Sequence, residues 1–492
     1  MSNLAHTSIH GVAWTLLRVL GQTGIGFGVG IYLARTLEVR DFGLMAIALS
    51  LIGFSELLSG LGVEASLIQR PTLTPQHLAV AFLLSLAMAI LLFLLFALLG
   101  TPLAHFFDQP ELARMLPVLG LGQFFATLCM VPRAILRRRF DYKRLSKLEL
   151  TAYLLGYALN SVCLAMAGFG VWSLVLATVT WFFLSCILLY RAADTRLRPV
   201  WSSPEAHDLL NFGVLITVKS VINYVAFTAS DFMIGKFLGP TNLGLYSRAQ
   251  QVAQLPLQKI ASVFSSVMFP IYASIQNDQR RLAEAYLKTV AAVSLLTMPP
   301  LAVMSVSSEV LIGGLYGEKW LPAAPVFSLL CLAGMLICIF HLAGALVEAC
   351  NQVWSEIKYQ TVYFFFMLSG YYVAVQGELI DVAWVVFVGA MFLYLTMGRL
   401  ALQIIGANWG VFFKAQTPGA MIGLALGTAA ALFLPFLAQL ALPRPLALAV
   451  LFAYSALLYG GILWLIPDRW VFGAKQMIVA RLLKRRSREV AG

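Results

Sequence analysis

The sequence predicts an all-α polytopic membrane protein of about fourteen transmembrane helices: two six-helix lobes related by a parallel repeat, plus two C-terminal helices. Three observations carry this. Only 11% of the 492 residues are charged and 60% are hydrophobic, where a soluble protein carries roughly 25% charged residues. Apolar runs of spanning length, about 20 residues, recur between short polar breaks. Basic residues gather in every second loop, as the positive-inside rule requires.

The spans fall at residues 11–34, 42–62, 78–100, 112–136, 146–167, 170–190, 209–236, 243–272, 286–306, 322–349, 357–376, 380–402, 417–440 and 445–466. The opening stretch "MSNLAHTSIHGVAW" lacks the basic region and small-residue cleavage site of a signal peptide, so the first apolar segment reads as a retained span. The eighth span is unusual, because Arg248, Gln250, Gln251, Gln254 and Gln258 crowd its first half. A polar face of this kind looks onto a cavity or a neighbour rather than lipid. The loops after spans four, six, eight and twelve are basic, and so is the tail "RLLKRRSREVAG". The opposite loops, "GFG", "GPTN", "QGELID" and "LPRP", are not. The even loops and both termini are therefore expected in the cytoplasm.

The domains expected are a lobe at 1–200, a second at 201–405, two added helices at 406–467 and a basic tail at 468–492. The tail reads either as an amphipathic helix on the membrane surface or as a solvated segment that fixes topology. No loop is long enough to hold a soluble catalytic domain, so the chain does not read as an enzyme. The net charge of +12 belongs to the loops and does not indicate nucleic acid. The six cysteines and six histidines show no metal, disulfide or nucleophile spacing. No metal or cofactor is expected.

An internal repeat sets Arg35–Leu44 beside Lys236–Leu245, matching Leu37 with Leu238, Asp41 with Asn242, Gly43 with Gly244 and Leu44 with Leu245. Six spans separate the copies, so they share one orientation, a parallel repeat about an axis along the membrane normal. The same register sets Arg18 opposite Lys219 and Gln22 opposite Asn223. Each cation and its amide are spaced i, i+4, on one helix face.

A charged side chain at the centre of a span costs about 2.5–3.5 kcal/mol. Arg18 and Lys219 sit about two turns inside the cytoplasmic ends of their spans, where snorkelling is cheap. A repeat-related pair with matched amides fits a polar cavity better. Cations there imply an anionic ligand, and a phosphate or diphosphate head group suits them. Arg248 is a further cavity cation. Asp231 lies about 120° round the helix from Lys219 and about 18 Å along it, so the two cannot pair. It is either a structural ion pair, with Lys236 the nearest cation, or a coupling site for a proton or cation. Glu56 is a second coupling candidate.

Four stretches resemble the Wzx-type polysaccharide flippases of the multidrug/oligosaccharidyl-lipid/polysaccharide exporter (MOP) superfamily. They are "YLARTLEVRDFGLMAIALSLIGF", "VPRAILRRRFDYKRLSKLEL", "DFMIGKFLGPTNLGLYSRAQQVAQLP" and "LYGEKWLPAAPVFSLLCLAG". The likeness weakens after about residue 400 and is nearest to exporters of the colanic-acid or xanthan type. The resemblance implies two lobes about a central cavity, alternating access, and no cofactor. The implied substrate is an undecaprenyl-diphosphate-linked oligosaccharide, moved across a bacterial inner membrane for exopolysaccharide or lipopolysaccharide synthesis. Membrane lipids, a polysaccharide polymerase and chain-length machinery are the implied partners. By position and charge, Arg18 and Lys219 match the family's cavity cations. A lipid II flippase is a close alternative. A multidrug cation antiporter of the same superfamily is another, although its cavity should be acidic.

Overall fold

The computed structural model describes residues 2–60, 63–69, 74–194, 202, 224, 228–255, 260–440 and 442–465. Among them every regular element is a helix, and ten helical stretches are long and apolar enough to cross a membrane. The chain forms two compact units, Met1–Gly244 and Leu245–Gly492. Lys219, Asn223 and the basic tail lie outside the described residues.

The first unit comprises α1 (Ser2–Thr36), α2 (Val39–Gly60), α3 (Val63–Gln69), α4 (Pro75–Phe106), α5 (Leu112–Leu128) and α6 (Met130–Arg138). It continues through α7 (Tyr142–Ala152), a π-helical stretch (Tyr153–Leu159), α8 (Asn160–Met166) and α9 (Trp172–Ala193). Helical residues 228–233 lead through a second π turn, Ile234–Leu238, into α10 (Gly239–Ala253), within which the unit boundary falls.

Local chemistry sets the ends. Thr74 caps α4 in a capping box with His77, and Pro75 takes the first turn, where a missing N–H costs nothing. Asp141 caps α7 by accepting the Arg144 N–H at 3.1 Å. The expected span 112–136 lies within one apolar stretch, Leu112–Arg138, interrupted at Cys129 between α5 and α6. Pro132 has no N–H, and its ring crowds the carbonyl four residues earlier, at the end of α5. Buried Leu67, Val80, Val131, Ile135 and Ala193 join α3, α4, α6 and α9 into one apolar core.

The second unit adds α11 (Ser262–Ile275), α12 (Gln279–Val306), α13 (Ser308–Tyr316), a 3₁₀ turn (Glu318–Ala323), α14 (Ala324–Ala349), α15 (Val353–Ala374), α16 (Leu379–Ile405), α17 (Trp409–Gln439) and α18 (Arg444–Leu465). The expected span 243–272 is described as two helices, α10 and α11; Pro256 lies between them in sequence and disfavours an uninterrupted helix. Against α12, α17 presents Gly419 and Gly423, one turn apart. A Cβ at Gly419 would lie 2.6 Å from the Ser294 carbonyl, and at Gly423 3.3 Å from that of Met298. Lipid offers no hydrophobic drive for helix association, so small residues that admit close backbones do this work.

The repeat-matched glycines make the tightest approach in the first unit. A Cβ at Gly43 would strike the Pro240 carbonyl, and one at Gly244 the Val39 carbonyl. One offset of 201 residues relates Gly43 to Gly244 and Val39 to Pro240, so the contacts are reciprocal. A two-fold relation between these segments produces that pairing of i with j and j with i.

Ion pairs tie the same end. Lys236 Nζ meets Asp108 Oδ2 at 2.7 Å. Arg40 meets Glu111 Oε1 at 2.8 Å and donates to Gln109 Oε1 at 3.0 Å. Burial pushes the Glu111 carboxyl up, but its backbone hydrogen bond and the Arg40 guanidinium outweigh this and hold its pKa below the usual value.

Gly43→Ala is expected to cost about 1–3 kcal/mol through overpacking, read as a lowered Tm in detergent. Gly24→Ala serves as the control, since nothing lies within 4 Å of its Cβ position, and should leave Tm unchanged or slightly raised. The depressed Glu111 pKa means its stabilisation is present above the unfolded carboxylate value of about 4.3 and is lost as pH falls through the folded value. The Tm advantage of wild type over Glu111→Gln should therefore be seen at neutral pH and vanish towards pH 3.

Candidate functional site

Among the described residues, the strongest concentration of charge inside the first unit's spanning helices forms around Glu149 of α7. Its Oε2 pairs with Arg18 of α1, and its Oε1 accepts from Arg133 Nε of α6 at 2.9 Å. Gln22, one turn further along α1 from Arg18, donates to the Glu149 backbone carbonyl at 3.4 Å. The Glu149 side chain is 7% exposed, against 19% for Arg18 and 27% for Arg133. The carboxylate is thus the buried centre and the guanidiniums the more open arms. Two cations share one anion, so the cluster carries one net positive charge.

All three residues lie at the same depth. Arg18 is five residues in from Ala13, Arg133 five from Arg138 and Glu149 seven from Tyr142, the ends of their apolar stretches. That corresponds to about 7–11 Å along a helix. Nearer the end, Lys143 and Lys147 lie over the Trp14 ring at 5.7 and 5.6 Å, a cation–π arrangement. Arg137 pairs with Glu64 at 2.8 Å. Arg138 and Arg139 donate to the Leu67 and Ala193 carbonyls at 3.0 Å. Basic side chains therefore run from the helix ends inwards to Arg18 and Arg133.

Deeper along α7 the helix widens into its π stretch. There Tyr153 stacks on Tyr157 with centroids 5.3 Å apart and meets Trp181 edge-on at 5.2 Å. Asn160 Nδ2 donates to Thr180 Oγ1 at 3.0 Å. Gly156 permits the widening's close packing, because a Cβ there would lie 2.6 Å from the Trp181 Cα.

Glu149 answers the charge of Arg18. One expectation needs correction: Asp231 is not paired with Lys236, which reaches Asp108 instead. Its Oδ2 accepts from Ser50 Oγ at 3.1 Å, and Tyr224 OH donates to the Ser50 carbonyl at 2.8 Å. Asp231 Oδ1 is buried with no hydrogen-bond partner among the described residues. Glu56 is exposed on α2. Arg248, in the second unit, donates to Gln251 Oε1 at 2.6 Å. The structure brings Arg18 and Gln22 together at Glu149, and sets Asp231 in a separate Ser50–Tyr224 cluster. Sequence reasoning misses Arg133 and Glu149. The available signal is that each lies inside an expected span, as Arg18 does.

Comparison with known proteins places this geometry in context. The family model described as polysaccharide biosynthesis protein matches residues 32–325. The lipopolysaccharide biosynthesis protein WzxC of Escherichia coli K12 is 26% identical over 416 residues, covering 83% of this chain and 81% of WzxC. The succinoglycan biosynthesis transport protein ExoT of Rhizobium meliloti is 26% identical over 420 residues, covering 84% and 82%. In fold, the inward closed lipid II flippase MurJ superposes with TM-score 0.70 at 12% identity, over 91% of this chain and 97% of MurJ. An inward-facing multidrug resistance MATE transporter of the MOP superfamily gives TM-score 0.61 at 15% identity, over 78% and 95%. With the family match spanning more than half its length, this multi-pass membrane chain belongs to the polysaccharide biosynthesis protein family.

Proposed function

We propose that the protein is a flippase that carries an undecaprenyl-diphosphate-linked oligosaccharide across the bacterial inner membrane by alternating access, for exopolysaccharide or lipopolysaccharide synthesis. The observation that carries this reading is the intramembrane cluster of Arg18, Arg133 and Glu149, with its net positive charge. A diphosphate supplies the missing negative charge and enough oxygens for two guanidinium forks. Names of relatives such as WzxC and ExoT support a polysaccharide-precursor substrate. Half-buried Tyr153, Tyr157 and Trp181 offer ring faces against which sugar C–H bonds pack.

In this proposal Arg18, Gln22, Lys219, Asn223 and Arg248 contact the substrate, while the lipid tail stays in the bilayer. Asp231 and Glu56 are the ion-coupling candidates. The lobes at 1–200 and 201–405 run as a parallel repeat, supported by the reciprocal Gly43 and Gly244 contacts. Both termini are cytoplasmic, and the product passes to a polymerase and chain-length machinery. The chain performs transport and no covalent chemistry. A cation antiporter would present a net negative site; the cluster has the opposite sign.

Proteoliposomes carrying a fluorescent diphosphate-linked glycolipid provide the test, with lectin access reporting translocation. Arg18→Ala, which removes one charge-assisted contact, is expected to slow translocation about tenfold or more at normal protein levels. Full activity in Arg18→Ala and Lys219→Ala would reduce both to topology determinants. No translocation by the wild type would overturn the flippase reading.

A further inference from the structure

We propose that Glu149 is a built-in stand-in for the substrate's diphosphate: it holds Arg18 and Arg133 in the empty site, and the diphosphate displaces it. Arg133 then becomes a diphosphate-binding residue beside Arg18. This inference rests on the anionic-lipid reading above.

The stoichiometry is the first argument. A structural ion pair needs one guanidinium; the second, Arg133, hydrogen-bonds Glu149 and feels Glu64 only through longer-range charge attraction. Two arginines on one carboxylate make sense if a more highly charged anion takes its place. The second argument is the burial order. Glu149 is the least exposed of the three, at 7%, while Arg133 keeps 27% and Arg18 19%. A ligand therefore reaches the arginines without first uncovering the carboxylate.

Donor supply is the third argument. Each guanidinium has five N–H donors. Among the described residues, Arg18 gives Glu149 one hydrogen bond from Nη1 and Arg133 gives it one from Nε. Once Glu149 is displaced, all of these donors are available for bidentate phosphate contacts. The arginines also come from α1 and α6, different helices, so one carboxylate spans the gap that two linked phosphates would fill. Lys143 and Lys147 beside Trp14 add positive potential on the approach.

A stand-in anion has a physical use. It offsets the cost of two bare guanidiniums in the empty protein and keeps their geometry ready. It also sets a selectivity threshold, since only an anion that binds the two arginines better than a carboxylate displaces it. A neutral polyprenol does not meet that threshold.

The test is binding of farnesyl diphosphate to the full-length protein in detergent, by microscale thermophoresis, with farnesol as the uncharged control. The variants are Glu149→Gln, Arg133→Gln and the double variant, with Tm measured for each. Glu149→Gln, which removes the competitor, is expected to bind about tenfold tighter, and Arg133→Gln about tenfold weaker, the scale of one charge-assisted contact. The double variant should recover most of the Arg133→Gln loss. It keeps one net positive charge in the cluster, so it decides the question where Glu149→Gln alone does not fold. A purely structural Glu149 predicts that Tm and binding fall together. Binding no tighter in Glu149→Gln at preserved Tm, or a double variant no better than Arg133→Gln, overturns the stand-in role and leaves the flippase reading standing. No preference of the wild type for farnesyl diphosphate over farnesol overturns both.

Discussion

A charge inside a hydrocarbon slab must be answered by another charge or by water, and the helices of the first unit are arranged around that requirement. Arg18, Arg133 and Glu149 come from α1, α6 and α7, so one carboxylate links three separately spanning segments. Each partner alone would cost about 2.5–3.5 kcal/mol at a span's centre and less this near the helix ends. Together they compensate one another, except for a single positive charge. In the proposed function an anionic head group neutralises that remaining charge, which is how the cluster would link fold to function.

Within each unit the helices are held by steric fit, because lipid supplies no hydrophobic drive between them. Glycines mark the closest approaches. Gly419 and Gly423 let α17 lie against the α12 backbone, and Gly43 and Gly244 let the repeat-related segments touch carbonyl to helix. The ion pairs of Lys236 with Asp108 and Arg40 with Glu111 sit at that same end but are half-exposed. They contribute little on their own, about 0–1 kcal/mol each at such sites, and serve orientation more than stability.

The helices are legible in the sequence because a spanning segment has few alternatives: it must be apolar, about 20 residues long, and internally hydrogen-bonded. The interruptions within spans are less so. Pro132 is visible, yet composition alone treats α5 and α6 as one span. The π stretch at Tyr153–Leu159 has no sequence marker beyond Gly156, whose role depends on Trp181 lying opposite. The candidate site is half legible. Arg18 stands out as a cation in an apolar run, but its partner lies 131 residues away, and no local pattern encodes that pairing. For Asp231, nearness in sequence suggests Lys236. Beyond the helical stretch that holds both, Lys236 finds Asp108 and Asp231 finds Ser50. Repeat register is the one long-range signal read from the sequence, and the reciprocal Gly43 and Gly244 approaches are consistent with it.

The most direct test is a cryo-EM structure of the full chain with a short-chain polyprenyl-diphosphate-linked oligosaccharide bound. The expected map has the diphosphate within hydrogen-bond distance of Arg18 and Arg133, with the Glu149 carboxylate turned away from both. A diphosphate seated elsewhere, with the Arg18–Glu149–Arg133 cluster intact, would contradict the mechanism.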